Sequence, residues 1–277
     1  MGTLYLVATP IGNLEDITAR ALRILRQVQL IAAEDTRHTG RLLSHYDIHT
    51  PLTSYHEHNK LSKLERVLST LNAGDVALVS DAGTPGLNDP GYELVRATLD
   101  AGYTISPIPG PSAPISALVA SGLPTDSFLY LGYLPRKSGE RRNLLDQVSN
   151  LPYTLIFLET PHRLLAALHD IQEMLGDRLM SVAREITKLH EEFFRGKVSQ
   201  AQAHFQAQAP RGEITLVVAG QSNEAQIWPE ERLRTALVQA LELDEPPSQL
   251  ARRMADASGW PRRKVYDLVT QLTRGST

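Results

Sequence analysis

The 277-residue chain contains no cysteine. Disulfides, a cysteine nucleophile and thiolate metal sites are thereby excluded. It also lacks any apolar run near the roughly 18 residues that a membrane-spanning helix needs. The first apolar run, Leu4 to Ala8, is too short for a signal-peptide core and has no basic lead. A cytoplasmic protein is the simplest expectation. Nor is there a surplus of positive charge: Lys and Arg number 28 against 31 Asp and Glu, a net charge of −3. That balance argues against a wholly basic nucleic-acid binder.

The charge is unevenly spread. Residues 246–277 hold six bases (Arg252, Arg253, Arg262, Arg263, Lys264, Arg274) and two acids (Asp256, Asp267), a net +4 that leaves −7 on residues 1–245. An acidic body with a basic end suggests that a polyanion is met at that end. The length suits two domains and a small appendage.

One stretch organises the rest: Ser80-Asp81-Ala82-Gly83-Thr84-Pro85-Gly86-Leu87-Asn88-Asp89-Pro90-Gly91. It joins the apolar run Val76 to Val79, a buried strand, to a helix from Tyr92. Its glycines let backbone approach a ligand and its prolines fix the path. Loops at strand C-terminal ends are where open α/β sheets bind small molecules. This one holds two acids, Asp81 and Asp89, and no Lys or Arg. A polyphosphate would be opposed there; hydroxyls, an amine or a cationic centre would be welcome. Asp89 before Pro90 also reads as a helix-start residue.

Before this loop the chain reads βαβα. Strands are expected at Leu4–Ala8, Leu30–Ala33 and Pro51–Tyr55, with helices to about Val28, over 36–45 and over 59–71. Glu34-Asp35-Thr36-Arg37 ends the second strand, placed either to face a cleft or to cap the following helix with an ion pair. His56 and His58 lack a third ligand and read as polar loop residues. A strand at Thr104–Pro107 leads into a tight loop, Pro109 to Ala113, and a small-residue helix to Ser121. This alternation argues a parallel sheet covered by helices on both faces.

A boundary falls at Gly122 to Thr125, and a second α/β half follows. Strands are expected at 128–132, 153–158, 179–183 and 212–220, with helices over 162–175 and 198–208. A basic loop, Leu134 to Arg142, enters another helix. The charged stretch Arg184 to Glu192 suits an exposed strand edge or hairpin. Residues 222–229 read as a linker. A helix over 230–243 and two short ones, 248–257 and 262–273, resemble a helix-turn-helix with a basic second helix. The expected domains are thus 1–121, 122–221 and 222–277.

Taken in order, several segments resemble the tetrapyrrole methylase superfamily, in its branch of small-subunit ribosomal RNA methyltransferases. They are Val7 to Leu14 with Asp16-Ile17-Thr18, Glu34 to Arg37, Ser80 to Gly91, and Pro109 to Ala113. In the second half they are Gly132 to Pro135, Phe157-Leu158-Glu159, Arg184 to Lys188 with His190-Glu191, and Gly212 to Val218. The superfamily's opening glycine-rich loop here reads Thr9-Pro10-Ile11-Gly12-Asn13, which departs from the tetrapyrrole enzymes and fits the rRNA branch.

The resemblance implies two αβα domains with S-adenosylmethionine between them, a helical RNA-binding tail, and a homodimer. It implies methyl transfer to the ribose 2′-oxygen of a cytidine in the decoding region of 16S rRNA. By superfamily position, cofactor contacts are expected from Pro10, Asp81, Ala82, Gly83, Thr84, Ser112, Ala113, Leu158, Ala183, Ile214 and Thr215. No metal is expected. Activation of the hydroxyl calls for a base or a nearby cation. The candidates are Glu185 and Lys188, expected closest to the chemistry, with Glu34, Asp35 and Arg37 opposite. RNA contacts are expected from Arg136, Lys137, Arg141, Arg142, Arg252, Arg253, Arg262, Arg263 and Lys264. The competing readings are a precorrin-type methyltransferase and a non-catalytic ribosome-assembly factor.

Overall fold

The structure, a computed structural model, describes residues 2–56, 60–221, 228–241 and 245–274. The expected Glu57-His58 loop and most of the 222–229 linker lie outside those residues. The first half runs β1 (Thr3–Val7), α1 (Ala19–Gln27), β2 (Leu30–Ala33), α2 (Thr36–His45), β3 (Leu52–Ser54), α3 (Lys60–Ala73), β4 (Val76–Val79), α4 (Tyr92–Asp100), β5 (Thr104–Ile108) and α5 (Ala113–Ser121). Its five strands form a wholly parallel sheet in the order β3-β2-β4-β1-β5.

Every residue of β2 and β4 is buried. Continuous apolar runs are what a parallel sheet covered on both faces requires. Leu25, Ile31, Leu43 and Val79 pack on one face; Leu4, Val67, Leu71, Leu78 and Leu94 pack on the other. The helix starts follow local chemistry. Thr18 accepts the Ala21 N–H at 3.1 Å to cap α1, and Asp35 accepts the Arg37 N–H at 2.8 Å to cap α2. A short 3-10 turn, Leu14–Asp16, occupies the loop after β1.

The second half runs β6 (Phe128–Tyr133), α6 (Ser138–Val148), β7 (Thr154–Glu159), α7 (Leu164–Leu175), β8 (Leu179–Arg184), β9 (Glu192–Lys197), α8 (Val198–Ala207) and β10 (Ile214–Val218). Its sheet has the order β6-β7-β10-β8-β9. Only β6 and β7 pair in parallel; the other neighbours are antiparallel. The charged stretch after β8 is the turn of a β8–β9 hairpin, and β9 itself is an additional strand beyond those expected.

Helices α6, α7 and α8 bury one face of this sheet around Leu145, Phe157, Leu168 and Phe205. Its other face is met by α5 of the first half, where Ala117 and Leu118 pack with Ile156, Ala183 and Val217. A helix of the first half thus packs on the second sheet, and residues 1–220 form one compact unit.

Residues 221–277 form a second compact unit. It consists of α9 (Glu230–Leu241), α10 (Pro247–Ser258) and α11 (Arg262–Arg274). Its core is Leu233, Leu237, Leu250, Met254, Val265 and Val269. Gly259, at φ 70°, ends α10 in the left-handed conformation that favours glycine. Trp260 donates its indole N–H to the Trp228 carbonyl at 2.7 Å, locking the turn before α11.

Candidate functional site

A cavity of about 240 Å³ opens between the two sheets. The first half lines it with Ile11, Glu34, the 81–84 backbone, Leu87, Asn88, Asp89 and Ser112 to Pro114; the second half with Tyr130, Tyr133, Leu158 and Glu213 to Thr215. The loop from Ser80 to Gly91 is its floor. Thr9 and Gly83 exchange N–H···O bonds of 2.9 and 3.0 Å, which zip this loop to the end of β1. Thr84 Oγ1 donates to the Pro111 carbonyl at 3.4 Å, tying it to the loop before α5.

The two halves touch across the cavity at glycine. Tyr130 Oη donates to Asn88 Oδ1 at 2.5 Å, and Asn88 takes a positive φ of 65°. A Cβ on Gly132, itself at φ 65°, would lie 2.5 Å from Asn88 Nδ2. A side chain there would push the floor loop off β6. Gly12 has the same role opposite: its Cβ would meet the Ile186 carbonyl at 2.8 Å.

The electrostatics of the cavity are acidic. No Lys or Arg is among its described lining residues. Glu34 and Asp81 end neighbouring strands and hold one another's backbone: Asp81 accepts the Asp35 N–H at 2.9 Å, and Glu34 accepts the Asp81 N–H at 3.3 Å. Burial, with the charge of Asp81, raises the Glu34 pKa against the help of that backbone bond. Burial first, then the charge of Glu34, pushes Asp89 from its ordinary 3.8 up to about 6, against the opposing effect of the nearby Ser80 hydroxyl. Burial and the neighbouring Tyr133 and Asp89 push Tyr130 up to about 12.

Of the expected cofactor residues, Asp81, Ala82, Gly83, Thr84, Ser112, Ala113, Leu158, Ile214 and Thr215 line this cavity. Two do not. Pro10 faces a separate, adjoining cavity. Ala183 pairs in register with Thr215, but its methyl is fully buried under α5. Ser112 is the N-cap of α5 and makes no side-chain capping bond. The Ala113 N–H at the start of that helix is therefore left without a side-chain cap at the cavity wall, Pro114 after it having no N–H.

The expected chemical residues divide. Glu34 lines the cavity. Asp35 and Arg37 form an ion pair with each other at 2.8 Å on the first turn of α2, the capping alternative. The hydrogen bonds from Arg37 hold Asp35 well below the usual carboxylate range. Glu185 and Lys188 do not line the cavity. The Lys188 ammonium sits between Glu185 at 2.9 Å and Glu213 at 3.3 Å, so the pair reaches the cavity only through Glu213. Burial disfavours both charges, but the hydrogen bonds and charges of this cluster outweigh it, lowering Glu185 and raising Lys188. A carboxylate so held is a weak base. Glu185 at φ 51° and Thr187 at φ 66° are strained; the 185–213 hydrogen bonds hold the first, and the Thr187 N–H bond to the Glu191 carboxylate at 2.7 Å holds the second.

Among the cavity residues not expected as site residues are Asn88, Tyr130, Tyr133 and Glu213. Tyr130 lay in a segment read only as a strand and Tyr133 in the Gly132 to Pro135 segment of the resemblance, with no role given to either; the register shift between them in the β6–β7 pairing turns both toward the cavity. Their spacing of three breaks strand alternation, and that was the available signal.

The expected RNA contacts also divide. Arg141 is 4% exposed and is paired with Asp170, itself 2% exposed. It anchors α6 to α7 and is withdrawn from the surface. Arg142 is shared between Asp170 at 2.7 Å and Glu173 at 2.6 Å. Lys137 pairs with Glu140 at 3.1 Å, while Arg136 is exposed. In the 221–277 unit Arg253 pairs with Glu245 at 2.6 Å, and Arg262 reaches the Ser248 carbonyl at 3.5 Å. Arg252, Arg263 and Lys264 are exposed.

The chain was compared with known proteins. Residues 3–202 match the family of Tetrapyrrole (Corrin/Porphyrin) Methylases. A relative in Synechocystis sp., named Ribosomal RNA small subunit methyltransferase I, is 49% identical over 98% of this chain and 99% of its own. One of the same name in Thermotoga maritima is 51% identical over 221 residues, which are 79% of this chain and 99% of that relative. The fold is similar to that of a uroporphyrin-III C-methyltransferase from Thermus thermophilus, with a TM-score of 0.53 at 21% identity, covering 78% of this chain and 94% of that one.

Proposed function

The chain belongs to the tetrapyrrole methylase family, and from that premise we propose that it is an S-adenosylmethionine-dependent methyltransferase acting on ribosomal RNA. The finer reading is transfer to the ribose 2′-hydroxyl of a cytidine in the decoding region of 16S rRNA, within the small subunit, by a cytoplasmic homodimer. The ordered resemblance of the motif segments supports that target, as do the relatives' names.

The observation that carries the cofactor assignment is the make-up of the cavity wall. S-adenosylmethionine presents a sulfonium, an amine, a carboxylate and hydroxyls, and supplies an electrophilic methyl group. Glu34, Asp81 and Asp89 suit the cationic and hydroxyl groups, and the uncapped N-terminus of α5 suits a carboxylate. Backbone of the 81–84 loop and the Leu158, Ile214 and Thr215 row enclose the remainder. A wall without Lys or Arg fits a ligand without phosphate.

The chain must then hold a hydroxyl in line with the methyl group and take its proton. Proximity and alignment supply much of such a rate effect. A carboxylate whose pKa is raised by burial is the better acceptor, so the proton is assigned to Asp89 or Glu34 on the cavity wall. Lys188 and Glu185 position Glu213 and the turn at the rim. The basic tail and Arg136 meet the RNA backbone.

The test is transfer of radiolabelled methyl from S-adenosylmethionine to small ribosomal subunits from a strain lacking this gene, beside uroporphyrinogen III as acceptor. Label in the subunit RNA supports the proposal. Label only in the tetrapyrrole overturns it.

A further inference from the structure

Beside the cofactor cavity lies a second one, of about 220 Å³, which the cofactor assignment does not use. It is lined by Thr9, Pro10 and Leu14 after β1, by His38, Thr39, Arg41 and Leu42 on α2, and by Ser80 and Asp81 at the end of β4. Its base is buried: Thr9, Thr39, Ser80 and Leu42 are all below a tenth exposed. Leu14, His38 and Arg41 are exposed around it. Asp81 is common to both cavities.

Rigid contacts hold this second cavity open. Tyr46 Oη donates to the Leu14 carbonyl at 2.6 Å, fixing the loop to the end of α2. Asn13 caps the short turn that follows, accepting the Glu15 N–H at 3.1 Å. Thr9 Oγ1 donates to the Ser80 carbonyl at 3.1 Å. Arg41 makes no hydrogen bond or ion pair with another described residue, unlike Arg37 one turn earlier, which is committed to Asp35. Asp81 uses Oδ1 on the Asp35 N–H, and no described residue donates to its Oδ2.

We infer that this second cavity receives the acceptor nucleoside, taken out of its RNA stack. This rests on the methyltransferase reading above. An unstacked base needs an apolar slot, which Pro10, Leu14 and Leu42 provide, with polar groups along its edge from Thr39, Ser80 and His38. Its phosphate meets the uncommitted Arg41 at the rim. Its ribose lies at the Asp81 end, because only there does the cavity adjoin the cofactor. Asp81 Oδ2 then accepts from the 2′-hydroxyl and orients it. The acidic wall thus faces the sugar, and the cation faces the phosphate. The reverse orientation would set a phosphate against three carboxylates.

The test is calorimetry of a cytidine-centred RNA trinucleotide binding to the full chain saturated with S-adenosylhomocysteine, in wild type, Arg41→Ala and Arg23→Ala. Arg23 lies on α1 and among the described residues bonds only Gln27, so Arg23→Ala removes the same charge away from the cavity. Arg41→Ala is expected to weaken the trinucleotide about tenfold, a loss of about 1.4 kcal/mol. S-adenosylmethionine affinity is expected to stay unchanged, and in turnover the KM for small subunits rises while kcat changes little. Equal weakening by Arg23→Ala overturns the inference, because a diffuse field would then suffice. So does equal loss of S-adenosylmethionine affinity, which would make the second cavity part of the cofactor site. A wild-type protein that methylates subunits but ignores the trinucleotide also overturns it while leaving the function standing. Absence of methyl transfer to any RNA overturns the function itself.

Discussion

Asp89 is the residue at which burial at the cavity has its largest consequence for pH. Its carboxyl titrates near 6 in the folded chain against an ordinary 3.8. A carboxyl raised on folding opposes the folded state once it ionises. The penalty is absent below the lower value, grows between the two, and is complete above about 6. Asp89→Asn removes it. Thermal melts of the variant and wild type should therefore diverge with pH, with a larger gain in Tm at pH 8 than at pH 5. Equal shifts at both would mean that Asp89 is not held at a raised value. At this scale the sequence carried the loop acids and the 81–84 backbone, because the glycines and prolines advertise a crossover. It did not carry the partition of Arg37, Arg41 and Arg141. Three arginines of like appearance become a cap partner, a cavity rim and a buried anchor, and that depends on which carboxylate the fold brings near.

Among the elements, α6 and α7 are joined by one buried carboxylate. Asp170 receives Ser138 Oγ at 3.0 Å, Arg141 Nε at 2.7 Å and Arg142 Nε at 2.7 Å. Removing the most buried partner leaves the buried carboxylate, among the described residues, with only the part-exposed Arg142 and Ser138. Arg141→Ala should cost about 3–5 kcal/mol of stability, while Arg136→Ala, at the surface, should cost under about 0.5 kcal/mol. Denaturant unfolding of the two variants separates them, and similar midpoints would contradict the anchor role. The strands of the first sheet were legible because β2 and β4 are unbroken apolar runs. The β8–β9 hairpin was harder to see. Its turn is a run of charges whose partners, Glu213 and His204, lie far along the chain. The strand β9, Glu-Phe-Phe-Arg-Gly-Lys, half-exposed at the sheet edge, has no clean alternation.

The whole molecule consists of two compact units, residues 1–220 with a net charge of −3 and residues 221–277 with a net charge of 0, most of the bases of the second gathered in its last 32 residues. The 221–277 unit has its own core, and the Thermotoga maritima relative matches over 221 residues at 99% of its own length, close to the size of the 1–220 unit. A chain ending at residue 220 should then keep S-adenosylmethionine affinity within about twofold, a change of about 0.4 kcal/mol. Its affinity for small subunits should fall, and the salt dependence of that affinity should flatten as phosphate contacts are lost. Calorimetry and filter binding across a salt series check both, and parallel loss of cofactor and RNA binding would make the unit structural. The βα alternation disclosed the parallel sheet from sequence alone. That α5 of the first half packs on the second sheet was not legible, since Ala117 and Leu118 read simply as apolar helix residues.

The most direct measurement digests 16S rRNA from small subunits incubated with the protein and S-adenosylmethionine and identifies the new nucleoside by mass spectrometry. The account predicts a single added 2′-O-methylcytidine. A base-methylated nucleoside, or none, would contradict it.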